Sequence, residues 1–165
     1  MKWLVTDTGP VLHLHEAGAL HLLPLIGEIL LPPRVAAELR SLAPSLPPEW
    51  TKIKTLTLTG QKRAVEWQRA GLLHGGESEA LALALELKPD WFLTDDAAAR
   101  LLAESLNVEA HGSIGAVLWA AAGNLVPASE AILFLAGLEN SSLWMSPKVR
   151  LEARSALEKI SHPSA

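Results

Sequence analysis

Short apolar runs, alternating with longer helical stretches, constrain this chain more than any other feature. Residues 2–6, 28–31, 52–58, 91–94 and 108–110 read as strands, and the segments between them carry helical patterning. The expected order is β-α-α-β-α-β-α-α-β-α-β-α-α-α. Strands this short, with helices in each connection, imply a parallel sheet covered on both faces. The expected fold is a three-layer α/β/α arrangement with a central, mostly parallel sheet of about five short strands. Right-handed crossovers would put every strand's carboxyl end on one edge, which is where ligands bind in such sheets.

Punctuation residues fix the element boundaries. Thr8-Gly9-Pro10 turns the chain after the first strand, and residues 11–26 read as helical with a break at Gly18. Pro32-Pro33 ends the second strand, and Pro33 opens the helix RVAAELRSL. Ala43–Trp50, with Pro44, Pro47 and Pro48, is a loop. Lys52–Leu58 alternates in the manner of a third strand, and a polar helix then runs to Gly71. Gly75-Gly76 precedes the helix ESEALALALEL, and AAARLLAESL follows the fourth strand. Residues 112–122, 129–138 and 146–160 are the closing helices. One domain spans 1–165, with the C-terminal helices of 129–162 as an extension.

A chain of 165 residues is long enough to bury a core of its own. Its mean hydropathy is +0.22, yet no apolar stretch reaches the ~20 residues that span a bilayer. Met1-Lys2-Trp3-Leu4 runs straight towards an acid, unlike a signal peptide, so the expectation is a cytoplasmic protein without a membrane segment. The absence of cysteine excludes disulfides, thiolate zinc sites and cysteine nucleophiles. A net charge of −4 argues against generic polyanion binding. The charge is uneven, however. Lys52, Lys54, Lys62, Arg63 and Arg69 cluster in 51–71, whereas Glu77, Glu79, Glu86, Asp90, Asp95 and Asp96 crowd 72–99. An acidic centre beside a basic segment suits a metal-dependent enzyme acting on a phosphate polymer, and ordinary solvated faces give the same pattern.

Four carboxylates stand where an α/β fold collects ligands: Asp7 in VTDTGP, Glu38 in VAAELR, Glu77 in HGGESEA and Asp96 in FLTDDAAAR. Each also has an ordinary reading. Asp7 stands where a cap would satisfy free N–H groups, and one member of the Asp95-Asp96 doublet can cap the next helix. Glu77 and Glu79 suit the positive end of a helix dipole. Glu77 borders the stripe of Leu81, Ala84 and Leu85, while Glu79 lies about 200° round the helix and reads as solvated. Glu38 at the rim of an apolar stripe reads as a surface residue. Four acids in one small cleft would repel one another unless a divalent cation joined them.

Other chemistries find no support. His13 and His15 fall on different helical faces, His74 and His111 are isolated, and no His-Glu-x-x-His is present. Ser78 and Ser113 lack a nucleophile elbow, and no Walker or dinucleotide fingerprint exists. Asp-Thr-Gly alone does not make an aspartic protease, whose two such aspartates sit in β-rich surroundings. The six tryptophans read as core and interface.

Taken in order, VTDTGPVLHLHEAGALHLL, LPPRVAAELR, HGGESEALALALEL, FLTDDAAARLLAESL and the Gly-Ser-Ile-Gly at 112–115 resemble the PIN domain. Within it they are most similar to the VapC-like branch, in a less-characterised subfamily. The resemblance covers residues 3 to about 125. It implies an endoribonuclease using Mg²⁺ or Mn²⁺ on single-stranded or structured RNA, of the kind found as the toxin of a type II toxin–antitoxin pair. Asp7, Glu38, Glu77 and Asp96 match the catalytic acids, with Asp7, Glu77 and Asp96 holding the metal and Asp95 auxiliary to it. Thr8, Arg100 and Ser113 are the expected substrate contacts, and Arg100, one turn after Asp96, is placed to neutralise it or meet a phosphate. A homodimer and an antitoxin protein are the implied partners. The alternatives are a non-catalytic PIN-like interaction module and a metal-dependent phosphatase using the Asp95-Asp96 doublet.

Overall fold

The structure, a computed structural model, describes residues 1–163. Five strands form one sheet: β1 (Lys2–Thr6), β2 (Gly27–Leu31), β3 (Lys52–Ile53), β4 (Trp91–Leu93) and β5 (Ala110–His111). Their spatial order is β3-β2-β1-β4-β5, and every neighbouring pair is parallel. The connections are helical: α1 (Thr8–Glu16), α2 (Leu22–Ile26), α3 (Pro33–Leu42), α4 (Leu58–Arg69), α5 (Gly75–Leu87) and α6 (Ala97–Ser105). Helices α7 (Ser113–Ala122), α8 (Ala128–Glu139) and α9 (Pro147–Ser161) close the chain. The expected element order and the three-layer parallel architecture are therefore present.

The strands read as apolar because both sheet faces are covered. Leu4, Val5, Ile29, Leu30, Phe92 and Leu93 are essentially inaccessible. Helices α3 and α4 pack on α5, whereas α8 packs on α1, α7 and α9. Among the described residues no helix is long and apolar enough to cross a membrane.

The third strand is shorter than its alternation predicts, ending at Ile53 rather than Leu58. The reason lies in its neighbour. The ladder pairs Leu30 with Lys52 and Leu31 with Ile53, and the Lys54 N–H reaches the Leu31 carbonyl. Pro32 and Pro33 then remove the next donors, so residues 55–58 have no strand to pair with. Thr57 instead caps α4, its hydroxyl accepting from Gly60 N–H. At the other edge, β5 begins at Ala110 rather than Val108.

The topology locates the functional edge. β1 is central, flanked by β2 on one side and β4 on the other. The chain leaves β1 in one direction through β2 and β3, then returns to build β4 and β5 on the other side. The crevice beyond the carboxyl ends of β1 and β4 is the switch point of such a sheet, where ligands bind.

Candidate active site

Asp7 follows β1, and its N–H donates to the Leu93 carbonyl at 3.1 Å, carrying the ladder one residue past Thr6. That pairing pins the residue at the sheet edge, where it is 2% exposed. It occupies the N-cap position of α1, but its side chain makes no cap hydrogen bond. Oδ2 accepts from the Thr94 hydroxyl at 2.5 Å, while Oδ1 is buried without a partner. Burial raises the Asp7 pKa well above the ordinary carboxylate value; the Thr94 hydroxyl and, more weakly, the Gly9 N–H oppose the shift, and the charges of Asp95 and Glu77 add to it.

Thr94 ties the ends of β1 and β4 together. Its hydroxyl donates to Asp7 and accepts from the Asp96 N–H at 3.1 Å. The doublet that follows splits, because neighbouring side chains leave an extended chain in different directions. Asp96 caps α6, with Oδ2 accepting from Ala99 N–H at 2.8 Å. Asp95 turns the other way. Its Oδ1 accepts from Ser113 N–H at 2.7 Å, and its Oδ2 from the Ser113 hydroxyl and lies 2.7 Å from His13 Nδ1.

The opposite wall comes from α3 and α5. Glu77 stands in the first turn of α5, its Oε2 accepting from His74 N–H at 3.1 Å. Burial raises its pKa; that backbone bond opposes the shift, and the nearby Asp96 charge adds to it. Glu38 reaches across from α3 to accept a hydrogen bond from the Thr8 hydroxyl. It passes directly over Gly76, where a Cβ would lie 2.2 Å from Glu38 Oε2. A glycine at that position is therefore what admits the Glu38 carboxylate.

Asp7, Glu38, Glu77 and Asp96 thus line one open cleft of ≈ 370 Å³, together with Thr8 and Asp95. The other two expected contacts are occupied differently. Ser113 is fully buried and spends both N–H and hydroxyl on Asp95. Arg100 donates through Nη2 to the Thr94 carbonyl at 3.0 Å, and no ion pair joins it to Asp96 among the described residues. Glu79 is absent from the cleft lining.

His13, His74, Leu143 and Trp144 also line the cleft. The spacing of His13 from His15 carries no signal for this placement; its i, i+4 spacing from Gly9 puts His13 on the face of α1 that meets the doublet. Trp144 is 82% exposed at the mouth, in the segment between α8 and α9. No pattern short of that tertiary packing would have found it.

Among the described residues, no three Asp, Glu or His side chains stand close enough to enclose one metal ion. The donors nevertheless fit a hard divalent cation of another style of binding. They are all carboxylate oxygens, and Asp7 Oδ1 is a buried acceptor with nothing to bind. Mg²⁺ is commonly held by one or two carboxylates, with water and substrate phosphate completing its shell.

A family model described as a PIN domain matches residues 3–159, running through α8 and nearly all of α9. No curated protein matches the chain. A PIN domain is a nuclease-type fold, and PIN nucleases generally use divalent metals.

Proposed function

This chain belongs to the PIN-domain family, and we propose that it is an Mg²⁺- or Mn²⁺-dependent endoribonuclease that hydrolyses phosphodiester bonds of RNA. The observation that carries the reading is Asp7. An ionised carboxylate buried at the switch point, with an orphaned oxygen and two acidic neighbours, is unfavourable until a proton or a cation completes it, and a divalent cation suits the acids gathered there.

Asp7, Glu77 and Asp96 would hold the ion or its waters, and Glu38, braced by Thr8, would position water at the rim. When bound, such an ion polarises a phosphoryl oxygen, lowers the pKa of water and screens developing charge. The protein's own part is to fix the carboxylates. Thr94 holds Asp7 and the Asp96 backbone in one register, and α6 holds the Asp96 side chain by its first-turn N–H.

The phosphatase alternative has a weaker basis, since Asp95, half of the doublet it would use, has both oxygens engaged by protein donors. The finer reading is the toxin of a type II pair with an antitoxin and a homodimeric state; it rests on the VapC-like motifs alone. The test of the nuclease reading is cleavage of single-stranded RNA with Mn²⁺ by the wild type and by Asp7→Asn/Asp96→Asn. A loss of about 10²-fold or more is expected for a removed metal site. Undiminished cleavage by the purified double variant would refute the assignment.

A further inference from the structure

Resting on the nuclease reading above, we propose that Trp144 is a stacking platform for an unpaired base of the RNA beside the scissile phosphate, and that the cavity adjoining the carboxylate cleft receives that nucleotide. The two hollows meet at one segment. Asp95, Leu143 and Trp144 line both the carboxylate cleft and a second cavity of ≈ 530 Å³, whose other walls come from α6, α7 and the first turns of α9. A strand with one phosphate at the carboxylates therefore carries its neighbouring nucleotide to Trp144.

The fold holds this indole out on a fixed backbone. Trp144 is 82% exposed, against 2% for Trp91 and 37% for Trp119. Among the described residues no aromatic ring or cation packs on it, so its faces are free. The chain is anchored on each side of it. Ser142 donates its N–H and its hydroxyl to the Glu16 carboxylate at the end of α1, at 3.3 and 2.5 Å, and the Leu143 N–H donates to the Ser141 hydroxyl. Met145 is buried, and Ser146 caps α9 by accepting from the Val149 N–H. A rigid aromatic side chain on an anchored segment loses little freedom when a ligand covers it.

The chemistry of the place selects its occupant. Every base has a π-face, so an exposed indole stacks on any of them, provided that the base is not paired. The adjoining cavity suits the rest of a nucleotide. Ile114, Leu118 and Val149 give it apolar surface, and Arg100 and Glu152 give it polar groups. Arg100 forms no ion pair among the described residues, so no carboxylate neutralises it and its charge can meet a phosphate or a base carbonyl. In a duplex the base faces are hidden against one another, so Trp144 selects single-stranded stretches. Stacking acts equally on the bound substrate and on the transition state, so its loss falls on KM rather than on kcat.

The experiment measures Mn²⁺-dependent cleavage of single-stranded RNA by wild type, Trp144→Ala and Trp144→Phe, with Asp7→Asn as the inactive control and melting curves to verify folding. Trp144→Ala is expected to raise KM by about tenfold or more with kcat little changed, the loss that removal of one stacking partner brings. Trp144→Phe, which keeps an aromatic face, should recover most of it. Tryptophan fluorescence gives a second readout, independent of cleavage. Adenosine 5′-monophosphate should quench the wild type saturably and leave Trp144→Phe unquenched, and ribose 5-phosphate should quench neither. Wild-type KM in a folded Trp144→Ala, with Asp7→Asn inactive, overturns the platform and leaves the nuclease reading intact. Quenching that survives in Trp144→Phe, or that ribose 5-phosphate reproduces, also overturns it. So does a Trp144→Ala whose mass by light scattering falls to half that of the wild type while KM is unchanged, because Trp144 is then a contact between two copies of the chain. A wild type that cleaves no RNA refutes the nuclease reading, and the nucleotide titration then decides the role of Trp144 by itself.

Discussion

Asp7 and Asp95 line one cleft, each just past the end of a central strand, and the fold treats them in opposite ways. Asp95 is met by a backbone N–H, a hydroxyl and an imidazole. Asp7 is met by one hydroxyl and keeps a buried oxygen with no partner. Asp7 is the more deeply buried of the two, yet it has the fewer partners. The contrast lies in whether the protein itself supplies the acid's counterparts. A satisfied carboxylate organises structure, whereas an unsatisfied one stores electrostatic cost that a ligand can relieve.

That contrast predicts opposite signs for removing the two charges. Asp95→Ala strands the Ser113 N–H and hydroxyl and frees His13, and is expected to destabilise the fold by about 3 kcal/mol, the cost of charge-assisted bonds lost from a buried site. Melting should fall by roughly 2–4 °C per kcal/mol for a chain of this size. An unchanged melting temperature would show that the Asp95 brace is not structural.

Asp7→Asn is expected to move melting the other way in metal-free buffer, by on the order of 1–3 kcal/mol of gained stability, because it removes an uncompensated buried charge. Mn²⁺ should raise the melting temperature of the wild type and leave Asp7→Asn unmoved. The effect has a pH signature. With its pKa raised in the native state, Asp7 binds its proton more tightly folded than unfolded. Without metal, the wild type should therefore lose stability relative to Asp7→Asn as pH rises above the ordinary aspartate value of 3.8 and through the raised native pKa. Below that window the acid is protonated in both states and its pH-dependent penalty disappears. A difference that stays constant with pH would contradict the buried charge.

The smallest effect concerns the rim. A Gly76→Ala methyl would meet the end of the Glu38 side chain, which can swing aside. Cleavage should drop by about tenfold at most, as expected for a displaced water-positioning group. Stability should change by less than ~1 kcal/mol, since alanine also favours the helix. A large loss of stability would mean that Glu38 is held in place more rigidly than its partial exposure implies.

The sequence carried the fold far because local signals agreed with one another. Proline pairs, glycine pairs and acids after apolar runs all marked the same boundaries, and the element order followed from them. The exception was Lys52–Leu58, where alternation promised a full strand. Strand length depends on a partner, and β2 stops at Leu31 before Pro32. Asp7, Glu77 and Asp96 were legible because each follows a strand or lies in the first turn of a helix, positions that a parallel sheet gathers; Glu38, midway along α3, rested on the family resemblance.

The sequence by itself placed Asp7, Glu77 and Asp96 just after strands or at helix starts, positions that right-handed parallel connections collect on one edge. Only the tertiary structure decided what each acid does there. Thr94 serves both Asp7 and Asp96, Ser113 closes on Asp95 from 18 residues away, and His13 reaches Asp95 across 82. Hydrogen bonds between residues so distant in sequence depend on the packing of α1 and α7 around the sheet. No local pattern encodes which oxygen will be left without a partner.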